Sequence, residues 1–272
     1  MATALLHDMI HKEIEVYVDD MMVKSLTREG HFKALDKFLA RAEKYNLRLN
    51  PKKCIFGVIS GKLLGHIVSQ RGIEVDPDKV KAIREMPPPK NEKEVRGFIG
   101  RLKYISRFIA KLTTICEPIF KLLRKNQPVI WDDRCQTDFE TINNYLMNPP
   151  VLQPPRPGKV LILYLAIEKE ALGAMLAQES GGKAEHAIYY LSKKLLPYEA
   201  NYNLVEKTCL AVIWATKKLR HYFQSYQVQA VLQHNPLKYL QQTPSLMGKL
   251  ARWLVLLTEF DIDYVAIKVV KG

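Results

Sequence analysis

The spacing of apolar positions changes along the chain and divides it into three regions. Ile14-Glu15-Val16-Tyr17-Val18 is rich in β-branched and aromatic residues and predicts a strand. Asp19-Asp20 follows, and Met21-Met22-Val23 is a second apolar run, so the pattern is a hairpin with carboxylates at its tip. His31 to Tyr45 predicts a helix, with Phe32, Leu35, Leu39 and Ala42 on one face. Asn50-Pro51 breaks the chain, and Cys54 to Val68 predicts a second hairpin. Its turn is expected at Ser60-Gly61-Lys62, with Leu63 to Val68 returning. Asp76-Pro77 opens a short helix as N-cap and first helical residue, and Pro87-Pro88-Pro89 ends it.

Asn91 and Glu94 have capping-box spacing, and the helix they open carries Val95, Phe98, Leu102, Ile105 and Ile109 on one stripe. More helix is predicted around Pro118 to Lys125 and Cys135 to Leu146, on a segment whose polar side is heavy in Lys and Arg. Pro149-Pro150 and Pro154-Pro155-Arg156-Pro157-Gly158 mark the next boundary. Three strands are predicted beyond it, at Val160–Leu165, Gly173–Gln178 and His186–Ser192. A long helix over Tyr202 to Phe223 has Val205, Cys209, Val212, Thr216, Leu219 and Phe223 as its stripe. A strand at Val228–Leu232, a helix at Met247–Glu259 and a strand at Phe260–Lys268 complete an α/β layer.

Composition narrows the classes. The chain has 272 residues, 47% of them hydrophobic, which is material for packed cores. Lys plus Arg number 41 against 28 Asp plus Glu, a net charge of +13 that fits either a polyanionic partner such as nucleic acid or a basic solvated surface. Cys54, Cys116, Cys135 and Cys209 are scattered, without zinc-ligand spacing, and read as reduced thiols of an intracellular protein, cytoplasmic or nuclear. No run suits a signal peptide or a membrane span.

Adjacent carboxylates at a hairpin tip repel each other, and a divalent cation removes that penalty. Taken alone, Asp19-Asp20 reads first as a solvated turn. Its surroundings change the reading. Tyr17-Val18-Asp19-Asp20-Met21-Met22-Val23-Lys24-Ser25 resembles the palm hairpin of gypsy-type reverse transcriptases. Leu47-Arg48-Leu49-Asn50-Pro51-Lys52-Lys53-Cys54 resembles the lysine-bearing motif after the palm helix, and Leu64-Gly65-His66-Ile67-Val68 the primer grip. Val95-Arg96-Gly97-Phe98-Ile99-Gly100, Tyr104, Arg107-Phe108-Ile109 and Trp131 continue the pattern into thumb and connection, and the likeness is greatest to plant lineages. The resemblance implies Asp19 and Asp20 as ligands of Mg²⁺ (or Mn²⁺), Lys52 or Lys53 near the incoming triphosphate, and Leu64 and Gly65 at the primer terminus. The expected partner is an RNA/DNA template-primer. The family's third palm carboxylate, on an upstream strand, has no counterpart here, because Asp8 stands too close to the hairpin.

Residues 158–272 resemble the RNase H-like domain of the same elements. That family holds two Mg²⁺ ions about 4 Å apart on a carboxylate cluster. Counting back from Gly173, the first-strand aspartate falls on Ala166, and the aspartate before His234 falls on Gln233. Glu206 is the acid left at a matching position, and it reads there as an ordinary exposed helical glutamate. The expected fold is α+β: a partial polymerase palm with hairpins over 1–86, a small helical thumb/connection unit over 87–150, and an α/β RNase H-like domain over 151–272. The expected function is a fragment of an RNA-directed DNA polymerase with a degenerate RNase H-like domain, inactive alone. The alternatives are a non-catalytic nucleic-acid-binding remnant and a module that pairs with a second polymerase subunit.

Overall fold

The computed structural model describes residues 5–10, 12–17, 20–123, 129–182, 184–232, 235–242 and 248–266. They belong to two compact units, Met1–Arg71 and Gly72–Gly272. Pro87-Pro88-Pro89, expected to mark a boundary, therefore lies inside the second unit.

In the first unit β1 (Ile14–Tyr17) pairs antiparallel with β2 (Asp20–Val23), Tyr17 opposite Asp20. Helix α1 (Arg28–Lys44) starts earlier than its apolar spacing predicts, because the Thr27 hydroxyl accepts the Gly30 N–H at 3.0 Å and caps it. Its buried ridge is Ala34, Phe38 and Ala42, with Phe38 packed on Leu6, Met9 and Ile14. Phe32 and Leu39, expected on the inner face, are exposed at 59% and 39%, because so small a cluster covers one ridge of the helix.

The second hairpin is β3 (Ser60–Leu63) with β4 (His66–Ser69). Ser60-Gly61-Lys62 is strand and not turn. The turn is Leu64-Gly65, at φ +53° and +71°. A two-residue loop with both φ positive matches the right-handed twist of the flanking strands, and this decides the register. Cys54 to Ile59 forms no strand, and Ile55, Phe56, Val58 and Ile59 are exposed.

The second unit runs β5 (Gly72–Val75), α2 (Pro77–Arg84), α3 (Glu92–Tyr104), a 3-10 turn (Ser106–Phe108), α4 (Leu112–Ile115), α5 (Glu117–Lys121) and α6 (Asp133–Tyr145). Asp76 caps α2, and Asn91 caps α3 by accepting the Glu94 N–H at 3.0 Å. Val95, Phe98, Leu102, Ile105 and Ile109 are fully buried, as their spacing predicts, in a core shared with Cys135, Phe139 and Ile142 of α6.

The sheet domain follows with β6 (Leu161–Ile167), β7 (Ala171–Glu179), β8 (Glu185–Lys194), α7 (Pro197–Ala200), α8 (Leu204–Lys218), α9 (Arg220–Ser225), β9 (Val228–Leu232), α10 (Pro236–Gln242), α11 (Lys249–Thr258) and β10 (Ile262–Ala266). The strand order is β10-β9-β6-β7-β8. Strands β6 to β8 are antiparallel, β9 runs parallel to β6, and β10 parallel to β9. The long helix expected to Phe223 breaks at Leu219, which leaves helical ψ while staying buried and aims α9 so that Phe223 meets Phe260. The stripe from Cys209 to Phe223 nevertheless stays in one core.

This second core remains distinct from that of the helical region, yet the two regions join. Ala187 and Tyr190 of β8 pack on the helical core, and the Gln153 N–H donates to the Ala187 carbonyl at 2.9 Å. Among the described residues no helix is long and apolar enough to cross a membrane.

Two predictions follow from this packing. Ile73 and Leu152 exchange backbone hydrogen bonds of 2.7 and 2.9 Å, and neighbouring Gly72, at φ +129°, lies so close that a Cβ would collide with the Leu152 carbonyl oxygen. Gly72→Ala is expected to cost about 2–4 kcal/mol, read as a lower urea midpoint at unchanged slope. Asp138 on α6 has a buried Oδ2 without a hydrogen-bond partner, and burial, then the charges of Asp132 and Glu117, push its pKa up to about 6. The folded state thus holds this proton more tightly than the unfolded chain. The associated stability is present below the ordinary carboxylate pKa and is lost as pH rises through about 6. Asp138→Asn should raise the melting temperature at pH above 7 relative to the parent chain, with the gap closing toward pH 4.

Candidate functional site

The acidic hairpin comes first. Asp20 is the first residue of β2 and is exposed, so its carboxylate stands at the end of a β-ribbon. Asp19 lies outside the described residues. Lys24 pairs with Glu15 across this ribbon at 2.5 Å. Met22 of β2 touches β3: a Cβ on Gly61 would sit 3.2 Å from the Met22 Cε. The Met22 methyl thus packs on Gly61, which sets β2 of the acidic ribbon beside β3 of the second hairpin.

Lys52 and Lys53 are exposed on a turn built by Asn50, whose Oδ1 accepts the Lys52 N–H at 3.1 Å. Such an Asx turn presents both ammonium groups to solvent. Asp8 is engaged elsewhere. Its two carboxylate oxygens accept from Arg41 at 2.9 and 3.0 Å, and this hydrogen-bonded guanidinium holds its pKa down to about 2. A carboxylate spent on a bidentate arginine pair is not a free metal ligand.

In the sheet domain, Ala166 sits on β6 directly opposite Gly173. Glu206 lies in the first turn of α8 and is used there: its Oε2 accepts the Asn203 N–H at 3.2 Å while Asn203 Oδ1 accepts the Glu206 N–H at 2.8 Å. This reciprocal pair is a capping box, the ordinary structural employment of a glutamate at that position. Lys207, almost fully buried beside it, donates to the Lys169 carbonyl at 3.1 Å. Gln233 lies outside the described residues. Among the described residues no group of three or more Asp, Glu, His or Cys side chains is placed to share a metal ion.

Two contacts here were not legible beforehand. The Thr113 N–H donates to Ser192 Oγ at 2.8 Å across a separation of 79 residues. The Arg107 guanidinium lies 4.6 Å from the centroid of the Tyr189 ring on β8. Neither has a periodic or spacing signal, because each joins the helical region to the sheet through side chains distant in sequence.

Comparison with known proteins agrees with the two-part layout. Residues 1–68 match the family model for reverse transcriptase (RNA-dependent DNA polymerase), and residues 156–260 match the RNase H-like domain found in reverse transcriptase. The chain is 34% identical over 264 residues to the retrovirus-related Pol polyprotein from transposon 297 of Drosophila melanogaster, covering 96% of this chain and 24% of that protein. It is 31% identical to the Pol polyprotein from transposon opus of the same species, over 97% of the chain and 28% of the relative. The transposon Tf2-3 polyprotein of Schizosaccharomyces pombe is 28% identical over 91% of the chain and 19% of its own length. Among solved structures, a foamy viral protease-reverse transcriptase in complex with RNA/DNA hybrid superposes with a TM-score of 0.86 at 20% identity, covering all of this chain and 37% of the other. A foamy viral protease-reverse transcriptase dRH in complex with double-stranded DNA gives 0.84 at 19% identity, with 48% of it covered. At these identities the likeness is one of fold. The chain spans about a quarter of the length of the curated relatives quoted first, and within that span it carries the reverse transcriptase and RNase H-like domains of a retrotransposon Pol polyprotein.

Proposed function

We propose that this chain is the palm-to-RNase H-like piece of an RNA-directed DNA polymerase from a gypsy-type element of a plant lineage, acting inside the cell on an RNA/DNA template-primer. One observation carries the reading. An acidic β-ribbon and a two-residue Leu64-Gly65 hairpin lie side by side, inside the region that matches reverse transcriptases. The solved relatives of similar fold are complexes with double-stranded DNA or RNA/DNA hybrid, and the charge of +13 here fits the same class of partner.

In this reading Asp19 and Asp20 hold Mg²⁺ or Mn²⁺, which supplies activation of a primer hydroxyl and charge neutralisation at the leaving pyrophosphate. An exposed carboxylate at the ribbon end suits a metal shared with substrate, but two adjacent aspartates with Asp8 tied to Arg41 make an incomplete ligand set. Leu64 and Gly65 position the primer terminus, and Lys52 or Lys53 meets the triphosphate. The sheet domain bears Ala166 in place of one nuclease acid and spends Glu206 on a helix cap, so it serves as a connection-like scaffold.

A second reading has one observation of its own. Ile55, Phe56, Val58 and Ile59 are 55–96% exposed in sequence, an apolar run suited to covering by further polymerase polypeptide or a second subunit. Light scattering separates it, since a rise in mass with concentration favours pairing between subunits.

Purified 1–272 should show no primer extension on a homopolymer template. When it is joined to the fingers and first palm strand of a related polymerase, extension should appear and fall at least about 100-fold on Asp19→Asn. Extension by 1–272 alone that Asp19→Asn abolishes would contradict the incomplete-site reading. Duplex affinity of the chain should fall at least about tenfold between roughly 50 and 200 mM salt, measured by fluorescence anisotropy.

A further inference from the structure

Ala166, Gly173 and Ser192 stand opposite one another on β6, β7 and β8, so their side chains share one face of the sheet. That face is covered by the chain's own connecting segment. A Cβ on Gly173 would lie 3.5 Å from the Ala166 Cβ and 4.0 Å from the Lys111 Cγ. The Thr113 N–H reaches Ser192 Oγ at 2.8 Å. Lys111 Nζ lies 3.4 Å from Glu168 Oε1, and the Thr114 hydroxyl donates to Glu168 Oε2 at 2.9 Å. Lys111 itself adopts φ +53°, a left-handed conformation that a lysine keeps only when its surroundings fix it.

We propose that the row Ala166–Gly173–Ser192 is the docking surface of segment Lys111–Thr114, with the Lys111 ammonium as the resident cation where the nuclease family would hold its metal. The charge balance of the neighbourhood supports this. A cleft of about 230 Å³ is lined by Thr113, Thr114, Glu117, Glu168, Glu170 and Lys194. Glu117 meets Lys121 at 2.8 Å and Lys194 at 3.5 Å, while Glu168 meets Lys111. Ammonium groups supplied by the chain already pair with Glu117 and Glu168. A divalent ion arriving here would have to displace a lysine, and a phosphodiester would have to displace the segment. The metal pair implied by the family therefore does not fit these residues, and the row has become an internal interface.

This deepens the scaffold reading of the sheet domain and rests on it. EDTA-sensitive cleavage of hybrid RNA by the parent chain would end that reading, whatever the outcome below. The docking is tested by thermal melts of the full chain with and without millimolar MgCl₂. The parent chain and Ala166→Asp should show no magnesium-dependent shift, because the Lys111 ammonium, held beside Glu168 and the added carboxylate, occupies the place the ion would take. Ala166→Asp combined with Lys111→Met should gain a rise of about 3 °C, as Asp and Glu168 take the ion together. A magnesium response in Ala166→Asp alone, or none in the double variant, would overturn the cation assignment. Ser192→Ala is the mild control. Native-state exchange at the Thr113 amide should accelerate at least tenfold, and an unchanged rate would overturn the docking itself.

Discussion

A ten-residue edge strand presents a row of unpaired backbone groups and one naked face, and proteins manage such an edge or aggregate through it. Here β8 is that strand, and the helical region is what manages it. Tyr190 and Ala187 extend the helical core onto the sheet, the Gln153 N–H caps the Ala187 carbonyl, and the Arg107 guanidinium lies against Tyr189. The order of events along the chain follows from this constraint. The helices of 77–145 precede the sheet in sequence but find their second wall on its last antiparallel strand. The bridge between Ile73 and Leu152 then ties the start of the unit to the segment that leads into β6.

The same region also covers one face of the sheet. A nuclease of this architecture needs an open row on which carboxylates, metal ions and phosphate can meet. Once Lys111 and Thr113 lie over that row, carboxylates there would gain nothing from metal, and Ala166 fits the space. The glutamate of α8 is absorbed into helix capping, a role any N-terminal turn can use. The first unit keeps the opposite balance. Its ribbon end is exposed, its lysine turn is solvated, and Met22 of one hairpin packs on Gly61 of the other.

Much of the fold was legible in the sequence where burial is one-sided. The stripe that starts on α3 at Val95 and ends past it at Ile109, and the one from Cys209 on α8 to Phe223 on α9, face large cores, so period and burial agree. The caps at Asp76 and Asn91 were equally plain, since capping chemistry is local. The misplaced turn at Ser60 had a physical cause. Positive φ at Leu64 is rare for leucine, and the two-residue turn that matches hairpin twist uses Gly65 and not Gly61. Phe32 and Leu39 share the inward apolar spacing of α1, but the cluster on that side covers a single ridge of the helix. Of the candidate site, the acidic ribbon and its lysines could be read from local pattern. The contacts of Thr113 with Ser192 and of Asp8 with Arg41 could not, because they link residues 79 and 33 positions apart.

Helices and sheet of 72–272 form one cooperative body in which the Ala166–Gly173–Ser192 face of the sheet is an internal interface. Native-state hydrogen exchange across a urea series measures this most directly. The account predicts that the buried amides of α3 and those of β7 and β8 open with a common free energy and a common urea dependence. Protection lost from α3 at urea concentrations that leave β7 and β8 fully protected would show two independent bodies and contradict it.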